Sequence, residues 1–126
     1  MRRIPALAFT TMILAGCGST PVDSAVIVLD EYSIEVSAPV VQTGPIVLTV
    51  ENAGEFSHTL VVARADGSAV AATETIAPGS AVELPLDLEP GGYEVSCRIV
   101  VQLLDGTIVD HYEQGMLASM AVANPG

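Results

Sequence analysis

The chain has 126 residues, half of them hydrophobic, with fifteen Asp and Glu against four Lys and Arg. That is one domain's worth of sequence, with enough apolar side chains to bury an ordinary core. A formal charge of −11 makes a surface that repels phosphate backbones and anionic lipid heads, which argues against nucleic-acid binding and for attraction of a basic partner. The blander reading is that the acidity serves solubility alone.

The N-terminal run MRRIPALAFTTMILAGCGS opens on Arg2 and Arg3, continues through an apolar stretch from Ile4 to Leu14 and ends in Ala15 and Gly16. This is the layout of a secretory signal, and the stretch is too short to span a bilayer. Leu14-Ala15-Gly16-Cys17 resembles the lipobox of bacterial lipoproteins, in which the Cys carries the lipid and becomes the first mature residue. The expected organisation is a signal peptide over 1–16, a lipid-anchored tether over 17–24 and one folded domain over 25–126. The location would then be extracytoplasmic, on the periplasmic or cell-surface side of a bacterial or archaeal membrane, held by lipid without crossing it. Losing Arg2 and Arg3 would take the formal charge from −11 to −13, because two of the four basic residues go with the signal. With Cys17 lipidated, Cys97 would be the remaining thiol of the two cysteines, in an oxidising compartment where it should be buried or occupied.

From Ala25 the chain reads as short strands divided by turns. In AVIVLDEYSIEVSAPV, Tyr32, Ile34 and Val36 alternate with Ser33, Glu35 and Ser37, as on a half-buried strand. Gln42-Thr43-Gly44-Pro45 is a turn, and PIVLTVEN follows with Ile46, Leu48 and Val50 on one face. Ala53-Gly54-Glu55 loops into SHTLVVARA, with His58 at the head of that strand. Asp66-Gly67-Ser68 is a hairpin signal, SAVAATETI a weaker strand and Ala77-Pro78-Gly79-Ser80 another turn. In AVELPLDL, Val82, Leu84, Leu86 and Leu88 oppose Glu83, Pro85 and Asp87. No stretch after residue 24 carries a helical period. The expected fold is all-β, a Greek-key antiparallel sandwich or barrel of seven to eight strands. Tyr93, just past the Pro90-Gly91-Gly92 turn, is positioned to be a tyrosine corner.

Three of the four chemistry-bearing residues gather late in the chain, from Cys97 to Met116. Both histidines, His58 and His111, and Cys97 and Met116 are soft or borderline donors, the set that suits a copper electron-transfer site: thiolate and imidazoles binding strongly, the thioether weakly along an axis. Asn52-x-Gly54-x-x-x-His58, Pro90-Gly91-Gly92-Tyr93-x-x-x-Cys97 and His111-x-x-x-Gly115-Met116 together resemble the cupredoxin family, the plastocyanin and azurin group, over about Ala25 to Val122. The resemblance implies a Greek-key barrel holding one mononuclear copper, Cu(I)/Cu(II), with His58, Cys97 and His111 as strong ligands and Met116 as the axial one. It also implies a carrier of single electrons and not an enzyme. Its partners would be redox proteins with a basic docking surface, such as a c-type cytochrome or a terminal oxidase or reductase.

Several expectations follow for the site. His58 should be buried, and His111 should lie nearer the surface with a ring edge as the electron port. Met116 and Leu117 would form an apolar docking patch, with Asp110 and Glu113 at its rim. Phe56 and Tyr112, each within two residues of a His, either shield the metal or fill loop ends. Thirteen residues, Arg98 to Asp110, separate Cys97 from His111, more than the family usually has, and IVVQL-LDG-TIVDH reads as a hairpin that projects outward and returns His111. Thr59, where the family often has Asn, offers a hydroxyl beside the ligands. Met120 competes with Met116 but sits in the closing strand ASMAVA, while Glu55 or Glu113 in place of the thioether would give a harder site resembling the red copper relatives. The alternative from another class is a metal-free sandwich module that binds a protein or carbohydrate at the membrane surface.

Overall fold

The computed structural model describes residues 20–125. The expected signal peptide and the lipidation site at Cys17 lie outside the described residues. Among the described residues there are eleven strands and no helix. In chain order they are β1 (Ser24–Asp30), β2 (Ser33–Val36), β3 (Val40–Gln42), β4 (Gly44–Asn52), β5 (Val61–Arg64), β6 (Ala69–Ala72), β7 (Ala81–Leu88), β8 (Gly91–Ser96), β9 (Val100–Gln102), β10 (Ile108–Asp110) and β11 (Leu117–Ala123). One sheet has the order β2-β1-β4-β7, the second β3-β11-β8-β5-β6, and β9 and β10 pair only with each other. The count exceeds the expected seven to eight because β2, β3, β9 and β10 are three or four residues long and emerge only through pairing.

The sandwich is not wholly antiparallel. β1 runs parallel to β4, with Ala25 opposite Leu48 and Ile27 opposite Val50. β3 runs parallel to β11. The cause is a change of sheet: after the β1–β2 hairpin the chain crosses to the far sheet as β3, then returns as β4 alongside β1 in the same direction. The remaining strand pairings are antiparallel. Val22, which the sequence puts in the tether, already bridges to Val41, and Gln42 N–H donates to its carbonyl at 2.8 Å.

Alternation builds the core. Ile46, Leu48 and Val50 of β4 point inward with Ile27 and Leu29 of β1, meeting Val62, Val95, Met120 and Val122 from the other sheet. Pro85 is tolerated because β7 is an edge strand. The Tyr93 hydroxyl donates to the Glu89 carbonyl at 2.8 Å, closing the expected corner across the Pro90–Gly92 turn. Between β9 and β10, the Leu103 and Gly106 amides donate to the Thr107 and Leu103 carbonyls, and Gly106 takes φ 91°, a left-handed conformation that glycine adopts without penalty. One pole of the sandwich thus gathers the ends of β1, β4 and β8 and the starts of β5 and β11, with the β9–β10 hairpin above it.

Candidate metal centre

Cys97 continues the inward row of β8: Tyr93, Val95 and Cys97 are all buried, and the Cys97 side chain is fully enclosed as a free thiol. Its amide donates to the Met116 carbonyl at 3.1 Å, and the Met116 amide donates to the His111 carbonyl at 3.1 Å. Backbone bonds therefore chain the three residues together. His111 itself extends the hairpin ladder, donating from its amide to the Ile99 carbonyl at 2.9 Å. The turn after it is closed by Asp110, whose carboxylate accepts from the Tyr112 amide at 3.0 Å. The thirteen-residue insert thus returns His111 beside Cys97, as the hairpin pattern implies.

His58 arrives from the other side. It is not at the head of β5, which starts at Val61, but in a separate bridge with Ile76, their amides and carbonyls exchanging bonds of 3.2 and 2.7 Å. The loop before it is shaped by Asn52: its side-chain amide donates to the Phe56 and Ile76 carbonyls, both at 2.8 Å, and its oxygen accepts from the Gly54 amide at 2.9 Å. The Asn and Gly of the N-x-G-x-x-x-H pattern are therefore loop-forming residues.

The three strong donors converge. His58 Nδ1 and His111 Nδ1 are 3.2 Å apart, and Cys97 Sγ lies 3.8 and 3.6 Å from them. Bonds of about 2.0 Å to nitrogen and about 2.3 Å to sulfur, spread at about 120° around one ion, would separate the nitrogens by about 3.5 Å and nitrogen from sulfur by about 3.7 Å. The observed spacing fits one mononuclear transition-metal ion held between all three. Thr59 Oγ1 lies 3.9 Å from the sulfur, the position expected of a residue that supports the thiolate. Met116 is fully buried next to this group, whereas Met120 is buried in β11 opposite Tyr93 and belongs to the core. Glu55 and Glu113 are exposed and stand outside the donor group.

The His58 nitrogen that faces away from the cluster is also held. Glu31, in the turn after β1, sets its carboxylate 2.9 Å from His58 Nε2. Hydrogen bonds from the Glu55 and Phe56 amides, partly opposed by burial and assisted by His58, lower the Glu31 pKa from 4.5 to about 2. An ionised carboxylate only accepts, so Nε2 carries the proton, and in the neutral ring Nδ1 offers its lone pair to the donor cluster. Burial, then the proximity of His58, lowers the His111 pKa, countered by Glu31 and Asp110. That favours the neutral imidazole, the form that binds a metal.

Two expectations are corrected. His111, at 2% exposed against 0% for His58, is far more enclosed than a surface ring edge and reaches solvent only as part of a groove wall. The Tyr32 ring packs edge-on against it at 5.4 Å, and the hairpin rises beside it. What opens toward His111 is a groove of about 560 Å³ walled by Ile99, Val101, Leu103 and Val109 of the hairpin, with Tyr32 and Phe56 opposite. Met116 is likewise too buried to form a docking patch; Leu117 is exposed. Phe56, 54% exposed, stands at the groove mouth, while Tyr112 turns outward, its ring 3.9 Å beneath the Arg98 guanidinium and its hydroxyl donating to Glu94 at 3.2 Å. The aromatic packed against a donor imidazole is Tyr32, which the sequence marks only as a strand residue, and Glu31 belongs to no motif. Their shared signal is the Asp30-Glu31-Tyr32 corner, a strand end at the same pole as the loop before His58.

No family model matches the chain, and no curated protein matches it by sequence. Solved structures do. Reduced auracyanin from the photosynthetic bacterium Roseiflexus castenholzii is similar at TM-score 0.63 and 20% identity, covering 82% of this chain and 98% of that one. Rusticyanin from Thiobacillus ferrooxidans is similar at TM-score 0.56 and 18% identity, covering 80% and 78% of the two chains. A purple cupredoxin from Nitrosopumilus maritimus is similar at TM-score 0.51 and 14% identity, covering 78% of this chain and 98% of its own. Taken with the strand order and the pole at which the donors meet, these likenesses establish that the chain has the cupredoxin fold.

Proposed function

We propose that this chain is a type 1 copper protein that carries single electrons between redox partners outside the cytoplasm, held to a membrane by lipid on Cys17. The observation that carries the reading is the buried meeting of one thiol and two imidazole Nδ1 atoms, 3.2 to 3.8 Å apart, at the end of a rigid sandwich. His58, Cys97 and His111 would hold the ion, with Met116 as the axial thioether. Copper supplies a one-electron couple, and a mixed set of soft sulfur and borderline nitrogen suits both of its charge states. The protein's part is to keep the donors from rearranging. It does so through the backbone chain Cys97–Met116–His111 on one side and the Asn52 loop with Glu31 on the other. Burial of all three donors keeps water out.

The docking face would be the groove over His111 and the hairpin beside it. Val100, Val101, Leu103, Leu104 and Ile108 all expose large apolar surface, and Leu104 at the tip is fully exposed at 110%. Arg64 and Arg98 line a separate groove with Tyr112, and no basic residue lines the one over His111 among the described residues. An apolar face on an acidic protein favours a partner whose apolar contact is ringed by Lys and Arg. Burial of the three donors supports a carrier of electrons over a site at which a substrate meets the ion. The chain enters the sandwich at Val22, and the seven residues of β1 carry it roughly 20 Å to Glu31 beside the donors. A lipid at Cys17 would thus tether the domain by the pole opposite the metal, leaving the hairpin free to meet partners.

Titration of the purified, reduced protein with Cu(II) tests the reading. One equivalent should give an intense thiolate-to-copper charge-transfer band, abolished in Cys97→Ser and shifted but retained in Met116→Leu. No band and unchanged thermal stability would instead favour a metal-free binding module. Labelling with radioactive palmitate in a bacterial host tests the anchor: label should enter the wild type and be absent from Cys17→Ser.

A further inference from the structure

We propose that Glu31 is a positioning residue of the metal centre: its carboxylate locks the His58 ring and sets a fixed negative charge behind that ligand, holding the reduction potential below the value the donors alone would give. The inference rests on the copper reading for the potential, and on geometry alone for the ring.

The geometry is unusually complete for one turn residue. Glu31 Oε1 accepts from His58 Nε2 at 2.9 Å and from the Phe56 amide at 2.9 Å, while the Glu55 amide reaches both carboxylate oxygens at 3.0 Å. The same carboxylate therefore ties the turn after β1 to the loop before His58 and to the ligand itself. Gly54 makes room for it: a Cβ at position 54 would lie 2.8 Å from the carboxylate carbon, a separation that real side chains do not adopt. The loop is built around the charge.

Charge decides the redox consequence. An anion next to a ligand stabilises the more positive metal state, so it favours Cu(II) over Cu(I) and lowers the potential. A neutral acceptor would orient the ring equally well without that bias. With a side chain about one-fifth exposed, Glu31 is sheltered enough for the interaction to be only partly screened by solvent.

Glu31→Gln separates the two roles, because its amide oxygen can keep the bonds to His58 and Phe56 while the charge is removed. The copper-loaded variant should keep its charge-transfer band, and its preference for Cu(I) over Cu(II) should rise about tenfold, a potential about 59 mV higher. Glu31→Leu should broaden or weaken the band as well, since the ring loses its partner. Nitrogen-15 NMR of the metal-free protein supplies the copper-independent arm. His58 should be the Nε2–H tautomer in the wild type and in Glu31→Gln, and a mixture of tautomers in Glu31→Leu. A potential unchanged in Glu31→Gln would overturn the charge role. A wild-type His58 protonated at Nδ1 would overturn the positioning role, whether or not copper binds.

Discussion

The two imidazoles of the donor cluster are delivered by regions of opposite character. His58 is held by the sandwich: Asn52 at the end of β4, Glu31 after β1 and Ile76 all bond to it or to its loop. His111 stands at the foot of a hairpin whose two strands pair with each other and with neither main sheet, and whose apolar side chains face solvent. An isolated two-stranded hairpin is marginal in water. The contrast teaches a division of labour. One imidazole is placed by a region whose order the whole core enforces; the other by a region that trades packing for an exposed apolar face.

That division can be broken from the core side first. Leu60 is fully buried two residues after His58, so Leu60→Ala should destabilise the whole domain by about 2–5 kcal/mol, measured by denaturant unfolding. Asn52→Ala comes next. It removes two donors and one acceptor that shape the His58 loop, and should cost about 1–3 kcal/mol while weakening copper binding. An Asn52→Ala protein with wild-type stability would show that the loop is fixed by something else.

From the hairpin side the effects on stability should be small. Leu104→Ser should change stability by no more than about 0.5 kcal/mol, because a fully exposed tip side chain packs on nothing, yet should slow electron transfer to a basic haem protein in stopped-flow mixing. Unchanged rates would remove the tip from the docking face. The smallest effect is a pH dependence. Hydrogen bonds from Thr107 lower the Asp105 pKa from 3.8 and brace the turn. A carboxylate with a depressed folded pKa contributes stability that is full above about 3.8 and is lost as pH falls through the lower, folded value. Protection of the tip amides, taken relative to intrinsic exchange at each pH, should therefore fall in strong acid, and Asp105→Asn should remove that fall.

Much of the fold is legible in local patterns. The alternation of Ile46, Leu48 and Val50, the turn at Asp66-Gly67-Ser68, the corner at Tyr93 and the hairpin between Cys97 and His111 all follow from neighbours in sequence. Three donors can be named because their types are scarce: two His and one Cys besides Cys17. What depends on distant parts is hidden. The parallel pairing of β1 with β4 arises from a change of sheet, which no period within either strand records. Glu31 looks like any turn carboxylate among fifteen acids, and its meaning comes from residues 24 to 27 positions later. The burial of His111 likewise depends on Tyr32 across the pole.

X-ray absorption at the copper edge on the protein loaded with one equivalent probes the donor set itself. One sulfur at short range and two imidazole nitrogens should surround a single copper, with no sulfur neighbour at that range in Cys97→Ser. A spectrum of oxygen and nitrogen neighbours only, the same in wild type and Cys97→Ser, would contradict that donor set.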